Sequence, residues 1–340
     1  MQTLDSQFRE VRAYWDPNLN NFLVGKRVDL SEIEDDADLV EPHVMELINH
    51  PNVVNVRAVA EIRCYPPPMR VVEVIMPYFE KGSLTDALER GVRFTPHESL
   101  NIVRRSLRGL AEMHERHGIL HRDIKSPNIF LSDDVDVVKL GDLGLAGRMN
   151  AEGYAPGVNA PQLYSPPELF GSTGLTRASD IYSLGVVLLE LLIGKFDYGS
   201  YSKTHVVDAL SAGRIPLRPE DRVIPFWVCK RLRQVIEKSM NVSPDRRYKT
   251  AREMDTAIAQ VEIANWIQKN SGTWEAPFLR DRRKWVRVTA ENTRKGGVKL
   301  SIQKKTNTAW RRYGSSISVP GLQDDQVPGV FEIANNLAVN

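Results

Sequence analysis

The sequence predicts an α+β fold in which a small strand-rich half precedes a larger helical half. Three observations carry that reading. Short apolar runs separated by turn residues dominate the first 80 positions. Beyond Gly82-Ser83 the apolar residues recur at helical spacing instead. The composition, 42% hydrophobic and 26% charged over 340 residues, is that of a soluble protein with ample core.

Taken in order, Val11-Arg12-Ala13-Tyr14 and Phe22-Leu23-Val24 flank the turn-forming Asp16-Pro17-Asn18, which predicts a hairpin within residues 8–30. The acidic stretch Ser31 to Asp38 leads into a helical pattern that ends at Asn49-His50-Pro51, and Ser31-x-x-Glu34 resembles a capping box. Val53 to Val59 and Val71 to Met76 read as strands. Leu100, Val103, Leu107, Leu110 and Met113 mark one face of a helix. Further helices are expected over Ile181 to Leu192, Val228 to Met240 and Ala251 to Ile267. The natural place for a ligand cleft is between the two halves.

Charge is uneven although the net value is only +2. Residues 271–315 carry 12 Lys+Arg against 3 Asp+Glu, while residues 1–270 carry 33 against 37, so a slightly acidic body precedes a basic tail. Two cysteines, Cys64 and Cys229, cannot build a disulfide framework and fit a reducing compartment. The first residues lack the basic-then-apolar pattern of a secretory signal. The longest apolar run, Ile181 to Ile193, is too short to span a bilayer. The expectation is an intracellular protein without a membrane span, cytoplasmic, with the nucleus as the alternative.

The residues that carry chemistry are His121-Arg122-Asp123-Ile124-Lys125-Ser126-Pro127-Asn128 and, 14 positions after Asn128, Asp142-Leu143-Gly144. These runs resemble motifs of protein kinases, and the reaction that resemblance implies explains the residue types: moving a phosphoryl group concentrates negative charge on its oxygens and needs an acceptor hydroxyl held in line. An aspartate at that hydroxyl can take its proton, which suits Asp123. A lysine two residues on can neutralise the migrating charge, which suits Lys125. An asparagine and a second aspartate are hard oxygen ligands for Mg²⁺, which suits Asn128 and Asp142. His114, His117 and His121 are spaced like metal ligands, yet His114 ends an amphipathic helix and His121 belongs to the motif.

This pattern resembles the catalytic loop and metal-binding motif of the eukaryotic-type serine/threonine protein kinase domain, with Leu143 where phenylalanine is usual. The resemblance runs over residues 4–268. It implies a bilobal fold, with a β-rich N-lobe over about residues 1–80 and a helical C-lobe over about 81–268. It also implies ATP and Mg²⁺ as cofactors and a protein as substrate. Leu23-Val24-Gly25-Lys26 is similar to the strand whose lysine holds the nucleotide phosphates. Glu41, nine residues before His50-Pro51-Asn52, corresponds to its helix partner. Met76 falls at the gatekeeper position, and the backbone of Pro77 and Phe79 would meet the adenine edge. Val24 would lie over the adenine, and Asp86 completes the nucleotide-binding set. Met45, Val56, His121 and Leu143 fall where the family stacks an apolar spine. Glu168 and Arg247 correspond to a buried ion pair, and Asp180 to the residue that holds the catalytic-loop backbone.

Four positions depart from the pattern. Leu4 to Val11 stands opposite the phosphate-covering loop without any of its glycines. Val24 replaces a small alanine. Pro42 follows Glu41, so the helix can begin there. Pro161 replaces the threonine that bonds the catalytic aspartate. The intact catalytic loop favours a kinase that phosphorylates serine and threonine hydroxyls; the departures favour a weak or inactive relative acting as a scaffold or regulator. No serine or threonine occurs between Leu143 and Tyr164, so activation by phosphorylation of such residues there is not expected.

Residues 269–340 lie beyond the resemblance. Trp285 to Val288 and Val298 to Ile302 alternate around Gly296-Gly297, which predicts a two-strand hairpin followed by a loose tail. Trp274, Trp285, Trp310 and Tyr313 interleave with basic residues, a combination that can meet an acidic partner or nucleic acid. The plainer expectation is a basic extension packing its tryptophans on the large lobe.

Overall fold

The computed structural model describes residues 11–29, 48–66, 68–132, 137–294, 296–306 and 308–340. Its first layer is an antiparallel sheet in the order β1-β2-β4-β3, formed by β1 (Val11–Asp16), β2 (Asn21–Asp29), β3 (Ala58–Ile62) and β4 (Val71–Pro77). The expected hairpin is present: Asp16 Oδ1 accepts from the N–H groups of Asn18 and Leu19 at 2.8 and 3.1 Å, an Asx turn that reverses the chain between β1 and β2. The strand expected over Val53 to Val59 starts later. Val53 and Val54 instead leave the sheet, Val53 forming an isolated parallel bridge to Leu140 of the large lobe.

The large lobe is helical. Gly82 leads into α1 (Leu84–Glu89) and α2 (Pro96–Ala111) follows, each opened by a reciprocal capping box, Ser83 with Asp86 and Thr95 with Glu98. Then come β5 (Ile119–Leu120), β6 (Ile129–Leu131), β7 (Val138–Leu140), β8 (Gly147–Arg148), α3 (Arg177–Ile193), α4 (Lys203–Ser211), α5 (Lys230–Ser239) and α6 (Ala251–Ala259). The apolar run from Ile181 is α3, buried along nearly its whole length in the core that α1, α2, α5 and α6 share. Among the described residues no helix is long and apolar enough to cross a membrane. The helix expected to reach Ile267 stops at Ala259, because Ile263, Ala264 and Trp266 turn inward to separate contacts.

The C-terminal region differs from the sequence expectation. The predicted hairpin exists as β11 (Trp285–Asn292) with β12 (Val298–Thr306), preceded by β9 (Ile267–Asn270) and β10 (Thr273–Pro277) and followed by β13 (Ala309–Val319). The five strands form an antiparallel meander. In place of a loose tail, α7 (Val327–Val339) covers one face, its Phe331 and Ala334 meeting Trp274, Val286, Val288 and Leu300 in a core of their own. Alternation sorts the tryptophans: Trp274 is buried, while Trp285 and Trp310 stand on the opposite face, where the Arg287 guanidinium lies 3.9 Å from the Trp310 ring centre. This module joins the large lobe through Phe226, packed edge-on against Trp274 at 5.3 Å and tilted against Phe331 at 5.0 Å.

Candidate active site

The catalytic loop is built around one buried carboxylate. Asp180, in the first turn of α3, accepts from the backbone N–H groups of His121 and Arg122 and from the His114 ring, each at 2.8 Å. Burial opposes its charge, but the His114 bond and the neighbouring donors win and hold the carboxyl below its usual range. His114 reaches Asp180 from a π-helical turn, Glu112–Arg116, that continues α2. This anchor holds Arg122 at φ 61, a left-handed conformation that only a fixed surrounding sustains in a non-glycine residue. Arg122 in turn donates to the carbonyls of Leu145 at 2.5 Å, Ala146 at 2.8 Å and Pro156 at 2.9 Å. Its guanidinium is thus occupied by backbone of the activation segment. A Cβ at Gly147 would overlap that guanidinium, which accounts for the glycine.

The loop places the predicted site residues together. Asp123 is buried, and Asn128 Nδ2 donates to its Oδ2 at 2.9 Å and to its backbone carbonyl at 2.8 Å. Lys125 Nζ lies 2.9 Å from the same Oδ2. Asp142, at φ 56, takes the Lys26 ammonium on its Oδ1 at 2.6 Å, so strand β2 of the small lobe meets the metal motif of the large one. Because the Asn128 amide nitrogen is spent on Asp123, its Oδ1 is left without a protein donor among the described residues. A carboxylate and an amide oxygen of this kind are the donor set a hard divalent cation takes, so Asn128 and Asp142 fit Mg²⁺.

The remaining residues expected at a nucleotide site lie on β2 and β4 and just after them. Val24 pairs with Met76 and Lys26 with Val74 across β2 and β4, which puts all four on one face of the sheet. Pro77 ends β4, and Phe79 stacks on Phe130 with ring centres 5.0 Å apart. Asp86 caps α1, its Oδ2 accepting from the Ser83 N–H at 2.6 Å and hydroxyl at 2.7 Å. Leu143 is fully buried beside Val56, and His121 bonds the Gly141 carbonyl at 3.1 Å. Glu41, Pro42, Met45 and residues Leu4 to Glu10 lie outside the described residues.

Two features were not visible in the sequence. Gln162, the neighbour of Pro161, donates its side-chain amide to Asp123 Oδ1, filling the place left by the missing threonine. Gln162 and Ser165 also brace each other, N–H to hydroxyl and N–H to carbonyl, each at 3.0 Å. The second is a buried polar cluster beneath the loop. Ser126 shares a 2.7 Å bond with the Tyr164 hydroxyl, which donates to Glu190 of α3 at 2.7 Å, and Tyr198 donates to the same carboxylate. Burial raises the Glu190 carboxyl despite these bonds, and burial beside Glu190 lifts the Tyr164 hydroxyl well above its ordinary range. The predicted structural pair is present as well: Arg247 makes two parallel bonds of 2.7 Å to Glu168.

The sequence comparisons agree with this geometry. The protein kinase domain family matches residues 7–257. Similar proteins include NUAK family SNF1-like kinase 1 of Mus musculus, 27% identical over 72% of this chain and 35% of that protein. Serine/threonine-protein kinase Nek5 of Mus musculus is 30% identical over 72% of this chain and 37% of its own length. Serine/threonine-protein kinase PknB of Mycolicibacterium smegmatis is 31% identical over 63% of this chain and 34% of its own. The chain therefore spans about a third of the length of these relatives. With its anchored catalytic loop, its lysine–aspartate contact between lobes and this match, the chain belongs to the protein kinase domain family.

Proposed function

We propose that the chain transfers the terminal phosphoryl group of ATP to serine and threonine hydroxyls of proteins. The observation that carries this is a pair of linked clusters, Asp123 with Lys125 and Asn128 and Asp142 with Lys26, joined where the Gly141 N–H donates to the Asn128 carbonyl at 2.9 Å, with donors from Asn128, Lys125 and Gln162 on the Asp123 carboxylate. Asn128 and Asp142 would hold Mg²⁺, which would supply positive charge to neutralise the nucleotide phosphates. Lys26 contributes a second positive charge at the same place. Asp123 orients the acceptor hydroxyl and receives its proton as the bond to phosphorus forms. Lys125, bound to that carboxylate, stands where the transferred charge passes. Lysine two residues after the base supports the serine/threonine preference, as do the three relatives above.

The test is label transfer from radioactive ATP to generic acceptor proteins, with Asp123→Ala beside the unaltered protein. Loss of the base should lower transfer by at least about a hundredfold. Equal transfer by both, or none by either, would count against the reading. The second outcome is the one a scaffold lacking turnover would give.

A further inference from the structure

A cleft of about 540 Å³ lies beside α4, away from Asp123 in the sequence and lined by none of the catalytic-loop residues. Its lining includes Arg214, Arg218 and Arg222 from the chain that follows α4. None of the three has a carboxylate within ion-pair distance among the described residues, unlike Arg104, Arg252 and Arg287. Arg218 is already fixed: it donates to the Ser200 carbonyl at 2.5 Å and lies over the Tyr201 ring at 4.6 Å. Arg222 also lines the cleft, although its Nε is buried and has no hydrogen-bond partner. Arg214 is exposed; its backbone N–H donates to the Ala209 carbonyl at 2.8 Å, and its guanidinium makes no hydrogen bond among the described residues.

Asp208 is the one carboxylate in the lining, so three guanidiniums against one acid leave the cleft at +2 with His205 neutral. Nearby Asp221 is engaged by the Tyr201 hydroxyl. The rim is not purely polar, since Val242 lines it and is 50% exposed. Three guanidiniums spread over nine positions of chain, beside an apolar edge, suit a chain of acidic side chains with an apolar residue among them better than a single small anion.

We propose that this cleft docks an acidic segment of a protein partner. Resting on the kinase reading, that partner is the phosphoacceptor protein, held here at a distance from the transferred group. The first experiment needs no turnover. A fluorescein-labelled Glu-rich peptide with spaced leucines is titrated with the full chain and followed by anisotropy, at low and raised salt. Binding should weaken with salt, and Arg214→Glu/Arg218→Glu should weaken it by about tenfold or more. Arg214→Glu alone, at an exposed side chain with no hydrogen bond or ion pair to lose among the described residues, keeps the test valid if the double variant fails a thermal-melting check. Equal binding by the variants, equal binding of a Lys-rich control peptide, or full displacement by inorganic phosphate would overturn the proposal. A second arm reads transfer to dephosphorylated casein: the variants should raise its KM several-fold and leave the KM for ATP unchanged. An unchanged casein KM would remove the substrate assignment, whereas loss of all transfer in the unaltered protein would point instead at the kinase reading.

Discussion

At the scale of single residues, the site depends on how many donors converge on one carboxylate. Asp123 is held by Asn128 and Lys125 on one oxygen and by Gln162 on the other. Removing the third donor frees the carboxylate to rotate within a site where small misplacements are expensive. Gln162→Ala should therefore lower kcat by about tenfold while leaving the KM for ATP unchanged, as steady-state assays would show. An equal fall in ATP affinity would mean that Gln162 acts on the whole cleft instead. Glu190 offers a test of a different kind, because its carboxyl is raised by burial. Below the ordinary glutamate value, about 4.3, folded and unfolded chains both hold the proton. Above it the unfolded chain ionises first, so the contribution to stability falls as pH rises toward the elevated folded value. Glu190→Gln keeps a neutral partner for Tyr164 and Tyr198 at every pH. Its stability relative to the unaltered protein should rise between about pH 5 and pH 8, as urea unfolding at the two values would show. An unchanging difference would mean the carboxyl is not raised.

At the scale of elements, legibility followed distance along the chain. The catalytic loop, the metal motif, the first hairpin and α3 were readable because each is specified by local residue types and short spacings. The Glu168–Arg247 pair was readable only through the family resemblance, being 79 positions apart. Gln162 was not readable, because replacement of a threonine by proline at 161 gave no sign that the next side chain would reach Asp123. Nor was the π-helical turn that aims His114, since its cause lies in Asp180, 66 positions away. The C-terminal strands β9, β10 and β13 were missed because mixed polar and aromatic residues hide a period of two. The activation segment shows what such readings can and cannot supply. Its lack of serine and threonine was plain in the sequence, but the reason it needs none is structural: three backbone carbonyls already satisfy Arg122. Phosphatase treatment should accordingly leave phosphoryl transfer unchanged. Gly147→Ala should reduce it, because the added methyl group displaces the guanidinium, at a cost of about 1–3 kcal/mol. A fall after phosphatase alone would place a required phosphate somewhere in the protein.

At the scale of the whole molecule, the C-terminal module completes the large lobe as well as packing beside it. Helix α5 begins after Cys229, whose side chain makes no capping bond; Glu332 of α7 accepts from the first N–H of that helix, at Lys230, at 3.0 Å. Helix α2 is served similarly, with Asn265 Oδ1 accepting from the His97 N–H at 3.1 Å and the Ile263 carbonyl bonding the His97 ring at 2.7 Å. Asn335 of α7 ties the connecting segment down by accepting from the Ala264 N–H at 2.7 Å. Apolar contact reinforces the join, since Phe226 fills the space between Trp274 and Phe331. A module whose core is joined to the lobe through Phe226, and which with its connecting segment caps two helices, should not be separable from it. Glu332→Ala removes one cap and a favourable charge at a helix N-terminus, which should cost about 1 kcal/mol. Truncation after Ala259 removes both caps and exposes Phe226, and it should lower the melting temperature of residues 1–259 by far more than the single substitution does. If the truncated chain instead melted at the same temperature as the full one, the two cores would be independent and the shared caps energetically idle.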